Sequence, residues 1–384
     1  MQTLHRMHVG PASDLSVLED GSVDLVVTSP PYPMIAMWDD CFAGQDGRIA
    51  ERLGAGDGPG AFDLMHLQLN AAWREVARVL RPGGYACINI GDATRSIGGG
   101  FRLYTNHARI VSACEALGLQ SLPAILWRKP TNAPNKFMGS GMLPAGAYVT
   151  LEHEYILILR KGGKRTFTPT EAARRSRSAF FWEERNAWFS DVWDLRGVGQ
   201  RLRADDARAR SAAFPFELAF RLICMYSMQE DLVLDPFLGT GTTTAAAIAC
   251  ARNSYGVETD AALLPVIRAT VESDRAPLND RQIERLRAHT AFLRDYRAAR
   301  GSDPAHTNTP YGFPVVTRQE TTLELYGVTS VVAAESRPSA ASATPHGEAS
   351  AGGAAGPLSD APAARWVAHH ELLRDPGAAQ LDLF

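Results

Sequence analysis

Apolar positions along the first third of the chain alternate between two periods. Asp24-Leu25-Val26-Val27-Thr28 is a short β-branched run that stops at Ser29-Pro30-Pro31-Tyr32. Two prolines cannot continue a ladder, so the run predicts a strand that presents its carboxyl end there. Leu64, Leu67, Trp73, Val76, Val79 and Leu80 fall at helical spacing, and Arg81-Pro82-Gly83-Gly84 breaks the pattern before a strand, Tyr85–Ile90. A helix from His107 to Leu117, strands Ser121–Trp127 and Glu154–Arg160, helix Phe216–Ser227, strand Leu232–Asp235, helix Thr242–Ala251, strand Ser254–Glu258 and helix Ala262–Ser273 continue the alternation. Helices between strands at this spacing imply an α/β fold with a mostly parallel sheet. Asp280–Arg300 reads as a charged amphipathic helix without visible chemistry.

Two stretches depart from this rhythm. Arg160–Arg210 carries 13 Lys and Arg against 7 Asp and Glu, with Phe167, Phe180, Phe181, Trp182, Trp188, Phe189 and Trp193 interspersed. Such a run is either a solvated insertion or a surface for phosphate contacts and base stacking. From Val331 to Ala364, 25 of 34 residues are Ala, Ser, Gly or Pro. So little apolar area predicts a disordered linker.

Composition narrows the class. The 384 residues include 45% hydrophobic side chains, enough for a sizeable core, and the net charge of −3 makes any basic surface a matter of local segregation. Cys41, Cys87, Cys114, Cys224 and Cys250 form no CxxC or Cys/His cluster, which argues against a zinc site and a disulfide scaffold. The opening residues lack an apolar signal core and no run of 18 apolar residues occurs, so a soluble intracellular protein is expected.

Two motifs carry chemistry. Asp235-Pro236-Phe237-Leu238-Gly239-Thr240-Gly241-Thr242-Thr243 joins an apolar strand to an Ala-rich helix. Its glycines allow close backbone approach, and Glu258 ends the next strand where a carboxylate can accept from ribose hydroxyls. No Lys follows the glycines, which excludes a P-loop. Thr28-Ser29-Pro30-Pro31-Tyr32 ends in either a stiff packed loop or a site for a planar base bearing an exocyclic amine. In the latter reading Tyr32 stacks on the base, while Ser29 and the Pro30 carbonyl accept from its NH₂.

Taken together, TSPPY and DPFLGTGTT resemble the motifs of the DNA amino-methyltransferases, and their order, catalytic motif first, resembles the beta group of that family. Phe214-Pro215-Phe216-Glu217-Leu218, Arg78–Gly84 and Asn89-Ile90-Gly91-Asp92 are similar to further family segments. The loop Gly10-Pro11-Ala12-Ser13-Asp14 departs from the pattern, in which an acid directly follows the glycine, so Asp14 is assigned no cofactor role. The resemblance, covering about Leu4 to Ser273, implies a Rossmann-like sheet with circularly permuted motif order. It implies S-adenosylmethionine as methyl donor, held by Asp235, Pro236, Phe237, Gly239, Gly241, Thr242, Glu258, Phe214 and Pro215, and no metal. Ser29, Pro30, Pro31 and Tyr32 would act on a base flipped out of double-stranded DNA. Serine in the first motif position resembles cytosine-N4 enzymes; adenine N6 is the alternative, and an RNA or small-amine substrate a more distant one.

The organisation expected from these readings is a catalytic half over residues 1–160 and a target-recognition insertion over 161–210. A cofactor half over 211–300 and a mostly disordered linker over 301–379 follow. Loops Asp39–Pro59 and Thr131–Gly146 are expected to help enclose the DNA. Gln380-Leu381-Asp382-Leu383-Phe384 resembles the pentapeptide that binds the bacterial sliding clamp, which adds the clamp as an expected partner.

Overall fold

The computed structural model describes residues 1–129, 143–146, 148–196, 214–273, 275–334 and 362–373. Strands β1 (Gln2–Val9) and β2 (Val23–Thr28) open the chain, followed by helices α1 (Asp39–Gln45), α2 (Arg48–Gly54) and α3 (Gly58–Val79). Strand β3 (Leu80–Ile90), the hairpin β4 (Ala93–Ile97) and β5 (Gly100–Tyr104), helix α4 (Asn106–Ala116) and strands β6 (Leu119–Arg128) and β7 (His153–Lys161) come next. Helices α5 (Pro169–Arg177) and α6 (Trp182–Trp188) and strand β8 (Val192–Asp194) precede α7 (Phe216–Tyr226), β9 (Leu232–Asp235), α8 (Thr242–Ala249) and β10 (Asn253–Glu258). Helices α9 (Leu264–Val271) and α10 (Ala276–Arg300), the short pair β11 (His306–Thr307) and β12 (Pro314–Val315), and strands β13 (Tyr326–Ala333) and β14 (Ala364–Leu372) follow.

Ten strands form one sheet in the order β13-β14-β1-β10-β9-β2-β3-β7-β6-β8. Its centre, β1, β10, β9, β2 and β3, is parallel, and β7 and β14 run antiparallel to their neighbours on either flank. Alternating side chains feed two cores. Leu25, Val27 and Val233 face α7 and α8, whereas Val26, Ile88 and Leu234 pack with Met65, Leu69, Trp73 and Val76 of α3. The near-continuous burial of β2 is what a strand covered on both faces requires. At the start of α3, the Asp57 carboxylate accepts from the Gly60 amide at 2.8 Å and caps the helix.

The α/β class and Rossmann-like order expected from sequence stand, and one expectation is corrected. Residues 301–334 and 362–373 are not linker: β13 and β14 extend the sheet, with Val331, Val332 and Ala333 paired to Ala368, Val367 and Trp366. Both strands lie at the margins of the Ala/Ser/Gly/Pro stretch, whose composition hid them; positions 335–361 lie outside the described residues. In the basic segment after Arg160, the arginines nearest the starts of β2 and β9 are engaged with acids, while β8 of the same segment ends with Asp194 beside Arg128 at the carboxyl edge. Arg165 bonds Asp231 at 2.8 Å and lies 3.2 Å from Asp24, and Arg174 bonds Asp231 at 3.0 Å. Asp24 lies in the first two residues of β2 and Asp231 precedes β9, so these arginines sit at the amino edge of the sheet, opposite the ends of the two motif strands. Phe181, Trp188 and Trp193 are core residues. Positions 130–142 and 197–213, and Gln380 to Phe384, lie outside the described residues.

Candidate active site and cofactor pocket

Strands β2 and β9 are neighbours, with Leu25 opposite Val233 and Val26 opposite Leu234. That register sets Thr28 beside Asp235, and the Thr28 hydroxyl donates to the Asp235 carboxylate at 2.6 Å across 207 residues of sequence. Thr243 of α8 donates to the other carboxylate oxygen at 2.6 Å, and the Phe237 amide donates at 3.1 Å. Burial pushes the Asp235 carboxyl up to about 6 against these hydrogen bonds. One buried acid thus binds the two motif strands to the first turn of α8.

Beyond this clamp the two loops enclose a cavity of about 600 Å³, within the usual range for a ligand site. Ser29, Pro30, Pro31, Phe214, Asp235, Pro236, Phe237, Gly239, Thr242 and Glu258 line it, as expected. Gly241 and Pro215 instead act from behind: Gly241, at φ +88°, turns the chain into α8, and Pro215 starts α7. Tyr32 departs from expectation. Its ring is 8% exposed and outside the cavity lining, so it offers no stacking face there. Its hydroxyl accepts from Ser29 Oγ at 3.1 Å and from Asn89 Nδ2 at 2.7 Å, and donates to Glu154 Oε2 at 2.8 Å. Burial and then the Glu154 charge hold the phenol protonated.

Several lining residues were not anticipated. Met37 and Trp38, and Asp40 and Cys41 of α1, come from within or next to the loop expected to enclose DNA. Thr259, Asp260 and Leu263 follow Glu258 directly, and the second acid two positions after the first was the available signal. Glu258 accepts from the Gly239 amide at 2.8 Å and the Asp260 amide at 2.9 Å, while burial raises its carboxyl.

The lining holds four carboxylates (Asp40, Asp235, Glu258 and Asp260), the aromatic rings of Trp38, Phe214 and Phe237, and no basic side chain among the described residues. An anionic phosphate ligand would find no counter-charge here. A cation carrying a nucleoside, such as S-adenosylmethionine, finds carboxylates for its hydroxyls and charge and rings for its base.

The DNA methylase family profile matches residues 23–268, which include both motifs and every lining residue. The chain belongs to this DNA methylase family. The methyltransferase is 50% identical over 329 residues to the type II methyltransferase M.MthZI of Methanothermobacter thermautotrophicus, covering 85% of this chain and 91% of that one. It is 49% identical over 280 residues to M.MjaI of Methanocaldococcus jannaschii, covering 70% and 91%. Among solved structures, a Thermus thermophilus protein assigned as a DNA modification methylase, in complex with S-adenosyl-L-methionine, is similar with a TM-score of 0.54. That likeness has 31% identity and covers 70% of this chain and 96% of that one. The methyltransferase takes its methyl group from S-adenosylmethionine and delivers it to DNA. Among the described residues no helix is long and apolar enough to cross a membrane.

Proposed function

We propose that this methyltransferase modifies the exocyclic N4 of cytosine in duplex DNA, on a base rotated out of the helix. The observation that carries the proposal is the serine at the head of the catalytic motif, half-buried on the wall of the cofactor cavity. An exocyclic amine is a weak nucleophile because its lone pair is delocalised into the ring. Ser29 Oγ and the Pro30 carbonyl accept its N–H groups, localise that pair, and stabilise the positive charge that grows on nitrogen. Glu258 and Asp260 hold the cofactor's hydroxyls, and Trp38, Phe214 and Phe237 enclose its apolar parts. The cofactor supplies an electrophilic methyl group on a sulfonium. No covalent enzyme intermediate is needed, and the buried thiols serve no step. Because the amine is hidden in a duplex, the base must leave the stack to reach the cavity.

DNA approaches, in this reading, at the carboxyl edge of the sheet. Ser29 lies there, and so do Arg128 and Lys129 at the end of β6 and Asp194 at the end of β8. Nucleoside analysis of duplex DNA after incubation with protein and cofactor tests the proposal, with Ser29→Ala as control. N4-methylcytosine that disappears in the control is expected; N6-methyladenine would overturn the base assignment. Contact with the bacterial sliding clamp through Gln380 to Phe384 is proposed from the motif alone. Removing those five residues should abolish clamp retention and leave methylation of short duplexes intact; undiminished retention would end the idea.

A further inference from the structure

The hydrogen bonds behind Ser29 admit only one arrangement of protons. Glu154, on β7, faces Lys129 Nζ across an ion pair and is 15% exposed, so its carboxylate can only accept. Asn89 Nδ2 can only donate, and does so to both Tyr32 Oη and Glu154 Oε2 at 2.7 Å. Tyr32 has one proton, and at 2.8 Å it goes to Glu154. The remaining contact of the phenol oxygen, to Ser29 Oγ at 3.1 Å, must therefore carry the serine's proton toward the tyrosine. Both lone pairs of Ser29 are left for the cavity. Gly91 makes the arrangement possible: a Cβ there would stand 3.0 Å from the Tyr32 ring and 3.3 Å from Glu154 Cγ.

We propose that Glu154, acting through the Tyr32 hydroxyl, fixes Ser29 as a pure hydrogen-bond acceptor and lends the neutral serine part of a carboxylate's character. Chains of hydrogen bonds anchored on a charge polarise one another, so the serine oxygen facing the target amine is more negative than an isolated hydroxyl. Glu154 and Tyr32 are positioning residues, separated from the cavity by Ser29. The same chain gives the surplus proton an exit. As the amine nitrogen bonds to the methyl carbon, the carbon–sulfur bond breaks and its electron pair stays on sulfur, leaving a neutral thioether. The N–H proton then passes to Ser29 Oγ, the serine proton to Tyr32 Oη, and the phenol proton to Glu154. The base is then neutral and Glu154 is a carboxylic acid, which returns its proton to solvent at the edge of β7. Nothing else is consumed.

The inference rests on the amino-group methylation proposed above, and its test separates the two. In cofactor-free protein with ¹³Cζ-labelled tyrosine, the Tyr32 resonance should move in both Ser29→Ala and Glu154→Gln, since both groups share one hydroxyl. An unmoved signal in Ser29→Ala overturns the arrangement whatever the enzyme's activity. In single-turnover methylation, Tyr32→Phe and Glu154→Gln should each slow transfer about 10- to 100-fold, the worth of a charge-assisted hydrogen bond. Cofactor affinity and thermal midpoint should stay near those of the unmodified enzyme. The double variant should be no slower than Tyr32→Phe alone, because Glu154 acts only through that hydroxyl. A full rate in Glu154→Gln, or multiplicative losses in the double variant, would overturn the relay. Absence of any methylated base with the unmodified enzyme would remove the reaction and the relay together.

Discussion

Glu258 and Cys41 both line the cavity proposed for the cofactor, and each makes that role testable. The Glu258 carboxylate holds the amides of Gly239 and Asp260, so it both shapes the glycine turn and offers charge to a ligand. Glu258→Ala should weaken S-adenosylmethionine binding about 10- to 100-fold by titration calorimetry, the cost of losing a charged acceptor; unchanged affinity would place the cofactor elsewhere. Cys41 is the one half-buried cysteine of the five, and burial followed by the Glu258 charge raises its thiol. Its thiolate fraction is correspondingly small, so alkylation should be slow near neutral pH and faster in alkaline buffer. Saturating cofactor should block it, as read by mass spectrometry; labelling at an undiminished rate would show that the cavity is not the binding site. Neither residue's relation to the other was legible from sequence. Glu258 announced itself at the end of a strand, whereas Cys41 reached the cavity only through the turn after the proline motif, which no periodicity describes.

At the scale of elements, the C-terminal strand is joined to the first one by a buried polar chain. Thr3 Oγ1 meets His5 Nε2 and His370 Nε2 at 2.8 Å each, and His5 Nδ1 meets Ser254 Oγ at 2.9 Å. Burial lowers His5 to about 3 and His370 to about 4, so both are neutral in the fold. In the unfolded chain they titrate near pH 6.5, so their contribution is complete above that pH and is lost as pH falls toward the folded values. At about pH 5 each histidine costs about 2 kcal/mol. Asp235 works in the opposite sense, because its folded carboxyl takes up a proton below about 6 and the unfolded one only below about 4. At about pH 5 that recovers about 1 kcal/mol, less than one histidine removes. The thermal midpoint should therefore drop between about pH 7.5 and about pH 5, and His370→Gln should shrink the drop. An equal drop in the variant would exclude His370 as a source of it. The central elements were readable because strands buried on both faces and the apolar stripe of α3 are written in local pattern. Strands β1 and β14 were not, since His5, Thr3 and His370 look like surface residues until their partners are known.

At the scale of the whole molecule, basic side chains are paired with acids at both edges of the sheet, Arg165 and Arg174 with Asp231 at one and Arg128 with Asp194 at the other. Thirteen basic residues between Arg160 and Arg210 suggested a DNA surface, yet sequence cannot distinguish a free guanidinium from one paired with an acid distant along the chain. Arg165 and Arg174 converge on Asp231, which is 1% exposed, and Arg177 lies 3.6 Å from Glu324. Arg165 and Arg174 hold α5 and the turn before it to the amino edge of β2 and β9, and Arg177 ties the end of α5 to the segment before β13. The proposed catalytic motif, by contrast, lies at the carboxyl edge, where the motif strands end. Arg165→Gln should behave as a stability variant: it takes one of two arginines from a buried carboxylate. That should cost less than the about 3–5 kcal/mol of a wholly uncompensated charge and be visible as a lower thermal midpoint. DNA affinity of the folded fraction should keep its salt dependence. A residue that neutralises one phosphate contributes about one unit to the slope of log affinity against log salt concentration, and its loss removes that unit. Fluorescence anisotropy with a short duplex across a salt series reads the slope directly. An unchanged slope with a lowered midpoint leaves DNA to the carboxyl edge, whereas a slope reduced by about one would bring the duplex to α5 and require the approach path to be redrawn.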